Sequence, residues 1–248
     1  MSEVLLDREG GVALITLAAP ERRNALTRGM VERLVEICDE VDADVSVGAV
    51  VVRAVGESFC SGAHRDLLAN AAQDPAEAER YAGVNLAYQA FVRVGGLQAP
   101  TVAAVRGHAV GAGVNLMLAT DLRIVAESAR IITGFARIGI HPGGGHFVLL
   151  SRTAGREAAA AMGVFGQEIT GRRAFELGLA WEACPAEQVE SRALEVASAI
   201  AADPELARAT VRSFRLETGP PAASWAVGLE AEKASQMWSL RRSKLRPE

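Results

Sequence analysis

The sequence predicts an α/β fold in which buried strands are each followed by a turn and a helix. Two observations predict it. Short apolar runs bounded by glycine, "GVALITL" (11–17) and "GAVVVRAV" (48–55), have the length and β-branched content of strands. They alternate with segments whose apolar residues recur every three or four positions, the helical period. With 248 residues, half of them hydrophobic, the chain is long enough to close one substantial core around such units.

The elements follow in order. "GVALITL" is apolar throughout, as a strand covered on both faces must be. "AAPERRNALT" (18–27) carries the proline and asparagine of a turn. "RGMVERLVEICDEVDAD" (28–44) places apolar residues at 31, 34, 35, 37, 38 and 41, one helical stripe. "GAVVVRAV" is a second buried strand, and "GESFCSGAHRDLL" (56–68) is a loop entering a helix. Residues 71–97 are mostly helical, with Asp74 and Pro75 as cap and first-turn proline. "TVAAVRGHAV" (101–110) reads as strand and runs into "GHAVGAGVNLMLATD" (107–121), a glycine turn followed by an apolar helix. "DLRIVAESARI" (121–131) adds short strands. After "GIHPGGG" (139–145) the chain is mostly helical, with "ITGRRAFELGLAWEACP" (169–185) as helix, glycine stop, short strand and turn.

Bulk properties exclude several function classes. The net charge is -4 with no basic block, which argues against nucleic acid as a partner. "MSEVLLDREGG" has early acidic residues and only a short apolar run, so it does not read as a signal peptide, and the apolar stretches are too short for a membrane span. Cys38, Cys60 and Cys184 are odd in number and form no disulfide framework; a reducing cytoplasm is the expected location. The four histidines show no metal-ligand spacing, so no metal is expected.

Chemistry concentrates in two loops, "FCSGAH" (59–64) and "AVGAGVN" (109–115). Each puts small residues where a strand meets a helix, and a helix N-terminus offers unpaired N–H groups with partial positive charge. Two such groups aimed at one oxygen make an oxyanion hole. A dinucleotide fingerprint is a poor match: Leu116 stands where G-x-G-x-x-G needs its last small residue, and Asp121 comes too soon for the ribose acid.

Five segments in register resemble the crotonase (enoyl-CoA hydratase/isomerase) superfamily: "PERRNAL" (20–26), "GESFCSGAHRDL" (56–67), "PTVAAVRGHAVGAGVNLMLATDLRIV" (100–125), "GIHPGGG" and "ITGRRAFELGLAWEACPAEQV" (169–189). The resemblance implies a spiral of β-β-α repeats over residues 1–190 and a helical C-terminal region, 191–248, that builds trimers, often paired into hexamers. It implies an acyl-coenzyme A substrate, with coenzyme A entering as part of that substrate and no tightly bound cofactor. The amides of Ala63 and Ala112 would hold the thioester oxygen. Arg22 and Arg23 lie where the family contacts coenzyme A. Ala25, Ser61, Ala63, His64, Ala112, Gly113 and Gly143 would line the path of the ligand.

The chain departs from the family's hydratases at both catalytic carboxylates. Asn115 and Phe135 occupy the two glutamate positions, and neither side chain can carry a proton near neutral pH. His146, at the start of the helix after "PGGG", is the first alternative acid or base, and His64 is the second. His108 reads as structural in a buried strand, Cys60 as packing and Asp121 as structural; Asp66 and Glu57 are the remaining carboxylates near the first loop. The chemistries left open are isomerisation, hydrolysis, carbon–carbon cleavage and an atypical hydration, with a non-catalytic acyl-CoA-binding protein as the alternative. Phe135 predicts a preference for hydrophobic acyl groups. The stripe Trp225, Val227, Leu229, Met237, Trp238 and Leu240 is either core or an interface.

Overall fold

The computed structural model describes residues 3–71, 77–218 and 225–244. The predicted Asp74–Pro75 cap and the Trp238 side chain lie outside the described residues. Strand β1 (Val4–Glu9) turns back into β2 (Val12–Leu17) as an antiparallel edge hairpin. Helix α1 (Arg28–Ala43) follows, with the Thr27 hydroxyl accepting from the Met30 amide as N-cap. β3 (Ala49–Ala54) then pairs parallel with β2.

From here the chain alternates between two sheets. β4 (Ser58–Cys60) enters the second sheet and leads to α2 (Arg65–Ala71) and α3 (Ala78–Gly95). β5 (Thr101–Val105) returns to the first sheet, β6 (His108–Val110) to the second, and α4 (Ala112–Ala119) follows. β7 (Leu122–Ala126) and β8 (Arg130–Ile132) repeat the pattern before α5 (His146–Ala159). β9 (Ile169–Thr170), α6 (Gly171–Glu176), β10 (Glu182–Cys184), α7 (Val189–Ala201), α8 (Pro204–Thr218) and α9 (Trp225–Lys244) complete the described chain. The large sheet has the order β1-β2-β3-β5-β7-β10 and the small one β4-β6-β8-β9. Strand in one sheet, strand in the other, then helix is the β-β-α spiral.

Period-two geometry explains the continuous apolar runs. In β2, Ala13, Ile15 and Leu17 enter the main core with α1, α3 and α4, while Val12 and Leu14 enter a second core on the opposite face. Helix α7 supplies that second face through Val189, Ala193, Ala197 and Ala201. Its approach is close: a Cβ on Gly11 would stand 2.5 Å from the Ala201 carbonyl oxygen, and one on Gly48 2.7 Å from it.

Two strands escaped the sequence pattern. β1 is an edge strand with mostly exposed residues, and β4 is only three residues long within a segment read as loop. "TVAAVRGHAV" is two strands in different sheets, parted at Arg106–Gly107, because a Cβ at Gly107 would lie 1.9 Å from the Glu57 carbonyl oxygen. His108 is exposed, not buried; its Nδ1 accepts from the Arg130 amide (3.1 Å). Among the described residues no helix is long and apolar enough to cross a membrane.

Candidate active site

The two glycine loops meet because the strands that feed them are neighbours. β4 and β6 pair in parallel, Ser58 with His108 and Cys60 with Ala109, and both chains then turn on the same side. The contact tolerates no side chains. A Cβ on Gly113 would stand 2.1 Å from the Cys60 carbonyl oxygen, and one on Gly62, whose φ is +98°, 2.9 Å from that of Val110.

The first loop is anchored by the turn before α1. Asn24 is fully buried in a left-handed conformation (φ 54°); its carboxamide accepts from the Ala19 amide and donates to the carbonyls of Val55 and Ser58, all within 2.9 Å. Leu26 then bridges the loop: its amide donates to Gly62 O (2.8 Å) and its carbonyl accepts from the His64 amide (2.9 Å). That pattern uses the Gly62 carbonyl and the His64 amide, on either side of Ala63, and leaves the Ala63 N–H outside the ladder. In the second loop Gly111 (φ 54°, ψ -116°) caps α4 without a side-chain bond, and the first hydrogen bonds back to it come from Val114 and Asn115. The amide of Ala112, the first helical residue, has no intrahelical acceptor.

Ala63 and Ala112 both line one cavity of about 250 Å³. Its walls are largely apolar, with Leu67, Leu68, Phe91, Phe135, Ile140 and Leu240 among them. Its polar side chains among the described residues are Ser61, Arg65, Tyr88, Asn115, Thr133 and Gln236. The Thr133 hydroxyl is committed to Met162 O (2.7 Å).

Asn115 lies one turn into α4, 1% exposed. Its Nδ2 donates to Gly143 O (2.9 Å) and its Oδ1 lies 2.6 Å from Nδ1 of His146. A carboxamide oxygen only accepts, so His146 carries its proton on Nδ1. His146 is fully buried, sits behind Asn115 outside the lining of the cavity, and meets the edge of Phe135 at a centroid distance of 4.9 Å. Burial pushes its pKa down to about 3, so it is neutral at physiological pH and poorly basic. The expected first-choice base is thus a partner of Asn115 behind the wall.

The other expected residues fall as follows. His64 does not line the cavity; its Nδ1 accepts from the Asp66 amide (3.3 Å) and lies 3.4 Å from the Asp66 carboxylate. Ser61 and Gly143 line the cavity, and the Ser61 amide is held by Arg23 O (3.0 Å). The Arg22 guanidinium pairs with Glu3 and Glu21, Arg23 is exposed, and Ala25 is buried beneath the first loop. Burial pushes the Cys60 thiol up to about 12, which suits packing and not nucleophilic attack. Asp121 is structural: it accepts from the amide and hydroxyl of Thr101 and from two nitrogens of Arg215.

Sequence reasoning missed the contribution of α3 and α9. Each glycine of the 143–145 run is pressed by a side chain from these helices or from α4. Gln236 stands against Gly143, Phe91 and Asn115 against Gly144, and Trp225 against Gly145. Trp225 also donates to Gly144 O (3.2 Å) and stacks on Phe91. Met237 and Leu240 pack with Phe135 and Ile140, so these members of the C-terminal stripe are intrachain core, while Val227 is exposed. The available signal was Gln236, a polar residue within that stripe.

Comparison with known proteins agrees with this architecture. The family model described as enoyl-CoA hydratase/isomerase matches residues 7–233. A probable enoyl-CoA hydratase, EchA14 of Mycobacterium tuberculosis, is 38% identical over 218 residues, covering 88% of this chain and 83% of the relative. The 1,2-epoxyphenylacetyl-CoA isomerase of Escherichia coli is 31% identical over 207 residues, 82% of this chain and 78% of that protein. Among solved structures, Pseudomonas aeruginosa OdaA superposes with a TM-score of 0.83 at 28% identity, covering 97% of this chain and 94% of the other. With the spiral and its paired loops already in place, the chain belongs to the enoyl-CoA hydratase/isomerase family.

Proposed function

We propose that the chain binds acyl-CoA thioesters in this cavity and polarises the thioester carbonyl with the amides of Ala63 and Ala112. The observation that carries the reading is that Ala63 and Ala112, whose amides have no backbone acceptor among the described residues, line one largely apolar cavity, Ala112 at the N-terminus of α4. Preorganised donors of this kind contribute roughly 3 kcal/mol each to stabilising an oxyanion. Arg22 and Arg23, beside the first loop, serve the coenzyme A moiety, as a guanidinium suits phosphate. The apolar walls, Phe135 included, favour hydrophobic acyl groups. The working unit is a homotrimer or homohexamer.

Two-carboxylate hydration is not the reaction. On the family resemblance Asn115, at the end of the second loop, and Phe135, ahead of the 139–145 glycine run, stand in for the two glutamates, and no carboxylate or imidazole lines the cavity among the described residues. The same observation favours a second reading, an acyl-CoA-binding protein without turnover. The experiment is hydration of crotonyl-CoA followed by loss of enoyl absorbance, beside an Asn115→Glu, Phe135→Glu double variant, with binding measured by calorimetry. Wild type should bind the thioester without hydrating it, and the double variant should gain hydration. Efficient hydration by the wild type would overturn the assignment of the two positions. Failure to bind any thioester would remove both readings.

A further inference from the structure

We propose that the Tyr88 hydroxyl is the proton-transferring group of this cavity and that the reaction it serves is migration of a double bond, from a 3-enoyl to a 2-enoyl thioester. The inference rests on the acyl-CoA reading above. Hydration divides its proton transfers between two groups, but double-bond migration needs only one, which lifts a proton from Cα and returns it at Cγ. Among the described lining residues there is one group suited to that task. Arg65 stays charged and Thr133 is committed to a carbonyl, whereas a phenol ionises near pH 10, far below an aliphatic hydroxyl.

The placement fits. Tyr88 is buried on α3 and donates to Oε1 of Gln236 on α9. The Gln236 carboxamide lies against Gly143, where a Cβ would stand 2.1 Å from it, and Asn115 donates to the carbonyl of that same Gly143. The phenol therefore reaches the wall that holds Asn115, one helical turn beyond the Ala112 amide. The steps balance. The phenolate takes the Cα proton, the C–H pair forms the Cα=C1 bond, and the carbonyl pair moves onto the oxygen held by the two amides. The phenol then protonates Cγ: the Cβ=Cγ pair forms the new C–H bond, the carbonyl reforms, and the double bond stands between Cα and Cβ. The phenolate is regenerated and no co-reactant is consumed. Gln236 is a positioning residue, since its carboxamide oxygen accepts the phenol proton and fixes the hydroxyl beside Gly143.

The test follows 3-hexenoyl-CoA by the rise of conjugated enoyl absorbance, with hexanoyl-CoA binding measured by calorimetry. Wild type should isomerise, at a rate that climbs with pH as the phenolate fraction grows. Tyr88→Phe should lose about 100-fold or more in kcat, with hexanoyl-CoA affinity retained. Gln236→Leu should lower kcat with KM for 3-hexenoyl-CoA unchanged, a split that lost packing alone does not make. Binding of hexanoyl-CoA by a wild type that does not isomerise overturns the inference and spares the acyl-CoA reading; so does a Tyr88→Phe variant of undiminished kcat. A wild type that binds no hexanoyl-CoA refutes the acyl-CoA reading itself.

Discussion

Acidification tests the buried His146 directly. Its pKa is held at about 3 in the fold by burial and lies near 6.5 in an unfolded chain. Below pH 6.5 the unfolded chain therefore binds a proton that the folded chain refuses, so stability is fully present above pH 6.5 and falls as pH drops toward 3. One such group costs about 1.4 kcal/mol per pH unit, hence about 2–3 kcal/mol between pH 6.5 and 4.5. That window isolates the histidine. The carboxylates held low by partners, Asp44 by Ser46 and Arg8 and Glu182 by Arg192, lose their contribution only below it. The assay is urea unfolding at fixed protein concentration across pH 4.5–7.5, for wild type and His146→Gln. Wild type should show the slope and the glutamine variant should not, whatever its absolute stability. A flat wild-type profile, or the same slope in both proteins, would refute a neutral, solvent-excluded His146.

Other outcomes follow from backbone contacts and burial. Gly113→Ala should cost about 1–3 kcal/mol and lower acyl-CoA affinity, because its Cβ meets the Cys60 backbone; Gly29→Ala, in open space on α1, should leave both unharmed. Denaturation and calorimetry of the pair check this, and equal behaviour of the two variants would remove the close approach of the loops as a requirement. Cys38 and Cys60 should resist iodoacetamide at pH 8 in the folded protein and react after denaturation, since burial raises both thiols to about 12. Mass spectrometry reads the modification, and rapid labelling of native protein at either site would contradict their burial.

Much of this was legible in the sequence because local signals and tertiary demands coincide. Apolar strands such as β2 sit between two covered faces, so their composition alone announces burial. The glycines of the two loops mark positions where backbone meets backbone. β1 was silent because its three apolar residues come together at one end and its polar half lies on an exposed edge, which matches neither a buried run nor an alternation. His146 misled because a histidine after a glycine run looks available, and only packing shows it behind Asn115. Tyr88 and Gln236 are 148 positions apart, and no local pattern announces a hydrogen bond over that separation.

The return of α9 onto the 143–145 glycine run has a consequence for biosynthesis. Gln236 and Leu240 form part of the cavity wall, and Trp225 braces the run itself. A ribosome delivers these residues after every strand of the spiral, so the cavity lacks that part of its wall until the C-terminal helix is made. Completion of the cavity thus waits on the C-terminal helix, and a truncation before Trp225 would remove that part of its wall.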